Sequence, residues 1–218
     1  MGPEDLPFVV TEHRAHFPEG FFARLGTRFL TAYTRTYLTG PHARAYIAEA
    51  EGVPVGFLVG VTDPAAHRQH IVQNHGKGLA LRACAALCIR PGLALHFTRT
   101  RLARYARKLL PGRRGAAEAA IEAPPRPGIT AVLAHVAVVG RVRSYGLGSA
   151  LVRRFTQDAA AAGCARLSLV TAAGPEGAGR YYERLGWGYA GETRTPEGRT
   201  LLTYEYEFVH QHPTGTAQ

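Results

Sequence analysis

The chain has 218 residues, of which 46% are hydrophobic and 19% charged, so it can fold around a real core. Lys and Arg number 26 against 16 Asp and Glu, and the resulting net charge of +10 favours anionic partners such as phosphorylated ligands or nucleic acid. No apolar run reaches the roughly 18 residues that a membrane-spanning helix needs, so we expect no membrane span.

Three cysteines, Cys84, Cys88 and Cys164, are odd in number and lack the C-x-x-C spacing of a zinc site. We therefore expect neither a disulfide framework nor a metal, and we interpret the three as small buried apolar side chains in a reducing compartment. The first residues lack a basic start followed by an apolar run, so we expect no secretory signal and a cytoplasmic location.

The first part of the chain is predicted to hold a helical region and a hairpin. Residues 19–39 carry aromatic and aliphatic side chains three and four positions apart, which predicts an amphipathic helix that is divided near Gly26. Two strands, at about 44–49 and 53–61, are predicted on either side of a turn at Glu51-Gly52.

A long helical segment is predicted next, at residues 65–110, with a break at Pro91-Gly92. The stretch at residues 99–114, which overlaps the end of this segment, is strongly basic, which indicates either a solvated helix face or a surface that recruits an anionic acceptor. Pro and Gly make residues 111–128 a predicted loop.

The second part of the chain is predicted to alternate strands and helices. The predicted elements are a strand at 129–139, a helix at 146–163, a strand at 166–172, a helix at 176–186 and two final strands around a turn at Pro196-Gly198. A flexible tail is predicted at 209–218. This order of elements predicts a mixed α/β domain built around one sheet.

The junction between the apolar strand and the helix near Gly146 indicates an anion site. Glycines at a helix start allow a ligand to approach the backbone, and the first amides of a helix are free to bind a phosphate. The dinucleotide fingerprint fails because Leu151 occupies its third glycine position, and no P-loop pattern is present. The pattern Arg-x-x-Gly-x-Gly fits in full, from Arg143 to Gly148; the alternative interpretation is a glycine-rich turn that only connects two elements.

Two motifs carry a resemblance to a known family. The segments HVAVVGRVRSYGLGSAL (135–151) and AGRYYERLGW (178–187) resemble the GNAT superfamily of acyl-CoA-dependent N-acetyltransferases. The resemblance implies one domain over residues 1–208, with a central mixed, mostly antiparallel sheet flanked by helices and an enlarged helical segment at 65–110. It also implies acetyl-CoA as co-substrate and a small amine acceptor, in a monomer or homodimer.

The resemblance also implies a set of site residues. The pyrophosphate would lie on a loop formed by Arg143, Ser144, Tyr145, Gly146, Leu147, Gly148 and Ser149. The pantetheine arm would add to the strand at Val136, Ala137 and Val138, where one amide could act as an oxyanion hole. Tyr182 matches the family tyrosine that protonates the leaving thiolate, and Tyr181 ranks second. The sequence departs from the family pattern at two positions. Pro175 stands where many relatives carry an Asn, and Val170 stands where some carry a Glu.

The general base is left open by the sequence. His135 has a suitable pKa range, but strand alternation puts it on the face opposite Val136, and a bulge would be needed to redirect it. The alternative for His135 is a structural role. Glu176 is close to the predicted Tyr182 helix and can also be an ordinary first-turn acid, and deprotonation through ordered water is a further alternative. Two further interpretations of the whole chain stay open: a GNAT-like domain that binds acyl-CoA without catalysis, and a basic nucleic-acid-binding protein, which we do not expect because no recognition motif accompanies the charge.

Overall fold

The computed structural model describes residues 1–99, 128–142, 146–175, 177–195 and 198–208. These residues form two compact units, which are described separately. One unit contains residues 1–40 and 68–99, and the other contains residues 41–67 and the described residues from 128 onward. The predicted single domain over residues 1–208 stays a proposal.

Helices and strands follow one another along the chain. The described helices are α1 (Leu6–His16), α2 (Phe21–Arg24), α3 (Thr27–Thr39), α4 (Pro64–Asn74), α5 (Gly76–Cys88), α6 (Pro91–Phe97), α7 (Leu147–Ala161) and α8 (Gly179–Arg184). The described strands are β1 (Ala43–Ala50), β2 (Val53–Val61), β3 (Thr130–Val138), β4 (Arg166–Ala172), β5 (Gly188–Arg194) and β6 (Thr200–Glu207).

The first unit is helical and contains a helix that the sequence analysis did not assign. In α1, the side chains of Leu6, Val9, Val10 and His13 are all buried. Their spacing of three, four and seven positions gives one buried helical face. The predicted division of the next region is confirmed, because Gly26 has a positive φ of 96° and separates α2 from α3.

The segment predicted to be helical at 65–110 is confirmed over its described part, which contains α4, α5 and α6. The break lies just before Pro91, which occupies the first turn of α6. Residues 100–127 and 209–218, which include most of the basic stretch and the predicted loop and tail, lie outside the described residues.

Two of the three cysteines contradict the expectation of burial. Cys84 and Cys88 are exposed, because the buried side of α5 is formed by Ala86 and the partly buried Ala83 and Leu87. Cys164 is buried as expected, and its thiol donates a 3.3 Å hydrogen bond to the carbonyl oxygen of Thr62.

The second unit is built on a six-stranded sheet of order β1-β2-β3-β4-β6-β5. Only β3 and β4 pair in parallel, and the other neighbouring strands are antiparallel. Leu133, Phe155, Leu167 and Tyr182 belong to one buried cluster, so α7 and α8 cover the same face of the sheet. The predicted mixed α/β class with a mostly antiparallel sheet is confirmed.

Helix α8 is shorter than the predicted 176–186. The amide of Gly177 donates a 3.0 Å hydrogen bond to the carbonyl of Gly174, and the helix begins after this turn, at Gly179. In the described part of the chain, no helix is long and apolar enough to cross a membrane. Nor do any three His, Cys, Asp or Glu side chains in that part lie close enough to hold a metal ion.

Candidate functional site

The central feature of the second unit is the place where β3 and β4 separate. Their pairing runs from Thr130 with Arg166 to Leu133 with Leu169, and no described β4 residue pairs with β3 beyond it. Strand β3 continues along β2 to Val138, and β4 continues along β6 to Ala172. The two strands therefore part, and the resulting cleft can accept an extended ligand that adds to the strand edge through main-chain hydrogen bonds.

A bulge lies in β3 directly after the last pair with β4. His135 pairs with Val59, but the next β2 residue, Gly60, pairs with Leu133, so Ala134 is the extra residue. The bulge reverses the alternation of side chains along the strand. Leu133 before it and both Val136 and Val138 after it contact the same buried cluster.

His135 consequently lies on the face of β3 opposite that cluster. From the sequence, His135 reaches the face of Val136 only if β3 contains a bulge. The bulge exists, but it shifts Val136 and Val138 to the helix side and leaves His135 on the other face. His135 stays a candidate base only for a group that approaches from that other face.

Helix α7 begins at the end of the loop that follows β3. Gly146 caps it with a left-handed backbone, φ +78°, which a glycine adopts without strain. The first helical hydrogen bond runs from the amide of Ala150 to the carbonyl of Gly146, at 2.9 Å. The amides of Leu147, Gly148 and Ser149 precede it and are free of helical acceptors, as an anion site requires. Arg143, Ser144 and Tyr145 lie outside the described residues, so their roles stay predictions.

Tyr181 reaches the first turn of α7 from α8. Its hydroxyl oxygen lies 3.3 Å from the Oγ of Ser149, and it would lie 3.1 Å from a Cβ added to Gly148. The same added Cβ would lie 3.7 Å from a methyl carbon of Val138. Gly148 is therefore a point of close approach between α7, α8 and the end of β3.

Tyr182 is buried beside Tyr181, with 4% of its surface exposed. Its ring lies edge-on to Tyr181 and to Trp187, at centroid distances of 5.1 and 5.7 Å. Burial, and then the neighbouring Tyr181, raise the pKa of Tyr182 above its usual value. Tyr182 is the first candidate from the sequence, but the hydroxyl that lies beside Ser149 and Gly148 belongs to Tyr181.

The two residues that depart from the family pattern, Val170 and Pro175, also lie in this unit. Val170 lies on β4 just beyond the last pair with β3, and 56% of its surface is exposed. Pro175 is exposed in the loop before α8, where the amide of Ala178 donates to the hydroxyl of Thr171 at 3.0 Å. Glu176 lies outside the described residues.

A cavity that the sequence did not predict lies between that loop, α8 and β6, next to the end of β4. Its volume is about 640 Å³, and its lining includes Arg180, Glu183, Leu202 and Tyr204. The hydroxyl of Tyr204 donates to a carboxylate oxygen of Glu183 at 3.0 Å. Burial and this carboxylate raise the pKa of Tyr204.

Comparison with known families identifies one match. The model of the Acetyltransferase (GNAT) family matches residues 113–187, which contain β3, α7, β4 and α8. No curated protein sequence matches the chain at a significant level.

Solved structures share the fold over nearly the whole chain. They include an N-acetyltransferase from Staphylococcus aureus Mu50, with 15% identity, a TM-score of 0.55 and coverage of 95% of this chain and 94% of the other. A ribosomal-protein-alanine N-acetyltransferase from Brucella melitensis has 12% identity, a TM-score of 0.54 and coverage of 95% and 97%. An acetyltransferase from Thermus thermophilus has 17% identity, a TM-score of 0.52 and coverage of 95% and 94%. The resemblance to GNAT acetyltransferases is thus confirmed in the matched segment and in the fold.

Proposed function

We propose, from the GNAT-family segment at residues 113–187 and the shared fold, that this protein transfers an acetyl group from acetyl-CoA to a primary amine. The acceptor would be a small metabolite or a peptide, and transfer would occur directly within a ternary complex. The observation that carries the proposal is the separation of β3 from β4 next to the start of α7, because it combines a strand edge with a helical anion site.

The proposed cofactor position follows from this arrangement. The diphosphate would accept hydrogen bonds from the amides of Leu147, Gly148 and Ser149, and Arg143 would add a charge-assisted contact. The pantetheine arm would extend along Val136–Val138, and a β3 amide would polarise the thioester carbonyl.

The proposed chemistry needs a neutral amine that attacks the thioester carbon. The carbon–nitrogen bond forms, the carbon–sulfur bond breaks, the nitrogen loses one proton to a base, and the sulfur leaves as a thiolate that then takes a proton. His135, which faces away from the Tyr182 cluster, is the proposed base for an amine that arrives from that side; ordered water is the alternative.

Tyr182 is the proposed donor to the leaving sulfur. Its raised pKa keeps the phenol protonated across the physiological range. A free thiol has a pKa of about 8.5, so complete proton transfer from this phenol would be unfavourable. The role that this environment supports is therefore a hydrogen bond that stabilises the developing thiolate.

The test begins with coenzyme A binding, measured as thermal stabilisation of the protein. Gly146→Asp and Gly148→Asp should each abolish it, because a carboxylate would lie where the diphosphate binds; retained binding in both variants would contradict the site. A thiol-release screen with acetyl-CoA over amino sugars, aminoglycosides, polyamines, amino acids and peptides then identifies the acceptor.

Two other outcomes would favour the alternatives. Binding of coenzyme A without thiol release for any amine class would favour an acyl-CoA-binding domain without catalysis. Affinity for nucleic acid that falls steeply with salt, together with no response to coenzyme A, would favour a nucleic-acid-binding protein.

A further inference from the structure

We propose that the hydroxyl of Tyr181 is a direct ligand of the cofactor, which it binds at the phosphate nearest the pantetheine arm. This inference rests on the proposed function and extends it to a side chain of α8. The cofactor-binding residues predicted from the sequence lie only on β3 and in the loop and first turn of α7.

The position of the hydroxyl carries the inference. It lies 3.3 Å from the Oγ of Ser149 and would lie 3.1 Å from a Cβ on Gly148. It therefore stands over the turn whose amides precede the first helical hydrogen bond. Val138, at the end of the proposed pantetheine strand, lies 3.7 Å from the same Cβ position. The hydroxyl thus occupies the point at which the diphosphate site and the pantetheine strand meet.

The chemistry of the hydroxyl pair fits an anion. At 3.3 Å, the contact between the hydroxyls of Tyr181 and Ser149 is long for an O–H···O hydrogen bond, whose usual length is about 2.7–2.8 Å. A phosphate oxygen that lies beside the pair and bridges it would accept from both hydroxyls and replace one weak neutral bond by two stronger bonds to a charged acceptor.

The position also separates the roles of the two adjacent tyrosines. Tyr182 packs against Trp187 and Tyr204 within the buried cluster, whereas Tyr181 extends to the start of α7. Tyr181 would therefore contribute to affinity through the phosphate, and Tyr182 to the transfer step through the sulfur.

The experiment compares three ligands that differ in phosphate content. Dissociation constants for coenzyme A, 4′-phosphopantetheine and pantetheine are measured with the wild-type protein and Tyr181→Phe. The variant should bind both phosphorylated ligands about tenfold more weakly, as expected for one lost hydrogen bond to a charged group, and should bind pantetheine as the wild type does. Equal weakening of all three ligands, or undiminished binding of coenzyme A, would overturn the inference.

Control variants test each link of this argument. Tyr189→Phe removes a phenol that is 57% exposed on β5 and should leave all three dissociation constants unchanged. Ser149→Ala removes the partner hydroxyl and should show the same selectivity for phosphorylated ligands. If Tyr181→Phe does not fold, Tyr181→Leu takes its place in the same comparison, and a loss that is equal for all three ligands would refute the proposal.

The outcome distinguishes this inference from the proposed function. Wild-type protein that binds neither coenzyme A nor 4′-phosphopantetheine would contradict the proposed function itself. Wild-type protein that binds coenzyme A tightly, with Tyr181→Phe equal to it, would contradict only the assignment of Tyr181.

Discussion

Leu133 on β3 and Leu169 on β4 form the last pair between the two parallel strands. Both side chains are buried in the core of the second unit, and the next residue on β4, Val170, is exposed. Beyond this pair β3 follows β2 and β4 follows β6, so the two strands part. The proposed cofactor cleft therefore begins directly beside a pair that the core holds in place.

Gly148 should be required because of Tyr181 as well as because of the cofactor. An alanine Cβ would approach the Tyr181 hydroxyl to 3.1 Å, so Gly148→Ala should lower the free energy of unfolding by about 1 kcal/mol. In the background of Tyr181→Phe the contact is relieved, and the same change should be neutral or slightly stabilising because alanine favours helices. Urea unfolding of the four proteins in this double-mutant cycle gives the coupling.

Equal effects of Gly148→Ala in the two backgrounds would contradict this explanation. Gly146→Ala serves as the control, because no atom of the described residues lies within 4 Å of its added Cβ. Its cost, about 1 kcal/mol from the positive φ, should be the same with Tyr181 or with Phe at position 181.

Tyr46 should connect β1 to α7 through Asp158. The Tyr46 hydroxyl donates a 2.6 Å hydrogen bond to a carboxylate oxygen of Asp158. Tyr46→Phe should therefore lower the free energy of unfolding by about 1–2 kcal/mol, measured by urea titration. Arg154 contacts the other carboxylate oxygen at 3.2 Å, but its side chain is 65% exposed. Arg154→Ala should cost less than about 0.5 kcal/mol, and a larger loss there than at Tyr46 would reverse the ranking.

His13 should make the protein less stable in mild acid. Burial lowers its pKa from 6.5 to about 4, so the unfolded chain takes up a proton before the folded protein does. The stability that depends on neutral His13 is present above pH 6.5 and is lost as the pH falls towards 4, by up to about 3 kcal/mol. The free energy of unfolding, measured at several pH values, should fall more steeply towards acid pH for the wild type than for His13→Leu. Parallel dependences would rule out this effect.

Tyr182→Phe should separate binding from turnover once an acceptor is known. Loss of the hydrogen bond to the leaving sulfur should lower kcat by about a hundredfold while the dissociation constant of coenzyme A stays close to that of the wild type. Because burial raises the pKa of Tyr182, wild-type turnover should not fall through ionisation of this phenol near about pH 10. Unchanged kcat in the variant would remove Tyr182 from the chemistry.

The strands and the cofactor motif could be predicted from sequence because their patterns are local. The hairpin around Glu51-Gly52, the strand at Thr130–Val138 and the helix after Gly146 were each indicated by residue spacing and glycine position, and the structure confirms them. Helix α1 was missed, and its buried face includes the polar residue His13, which weakens the apolar pattern. The helical spacing of three and four positions is complete only when His13 is counted as buried, which the structure shows.

The remaining details depend on contacts between distant segments. The bulge at Ala134 arises from the pairing of β3 with β2, so no pattern within β3 predicts it. Tyr181 and Ser149 are 32 positions apart, and only the packing of α8 against α7 brings their hydroxyls together. The exposure of Cys84 likewise depends on which side of α5 packs, since both sides carry apolar residues.

The most direct test of the cofactor site is a titration of isotope-labelled protein with coenzyme A, followed through the backbone amide resonances. We predict that the largest shifts occur at Leu147, Gly148 and Ser149 and along Val136–Val138. Large shifts confined to other parts of the chain, with these amides unmoved at saturation, would contradict the account.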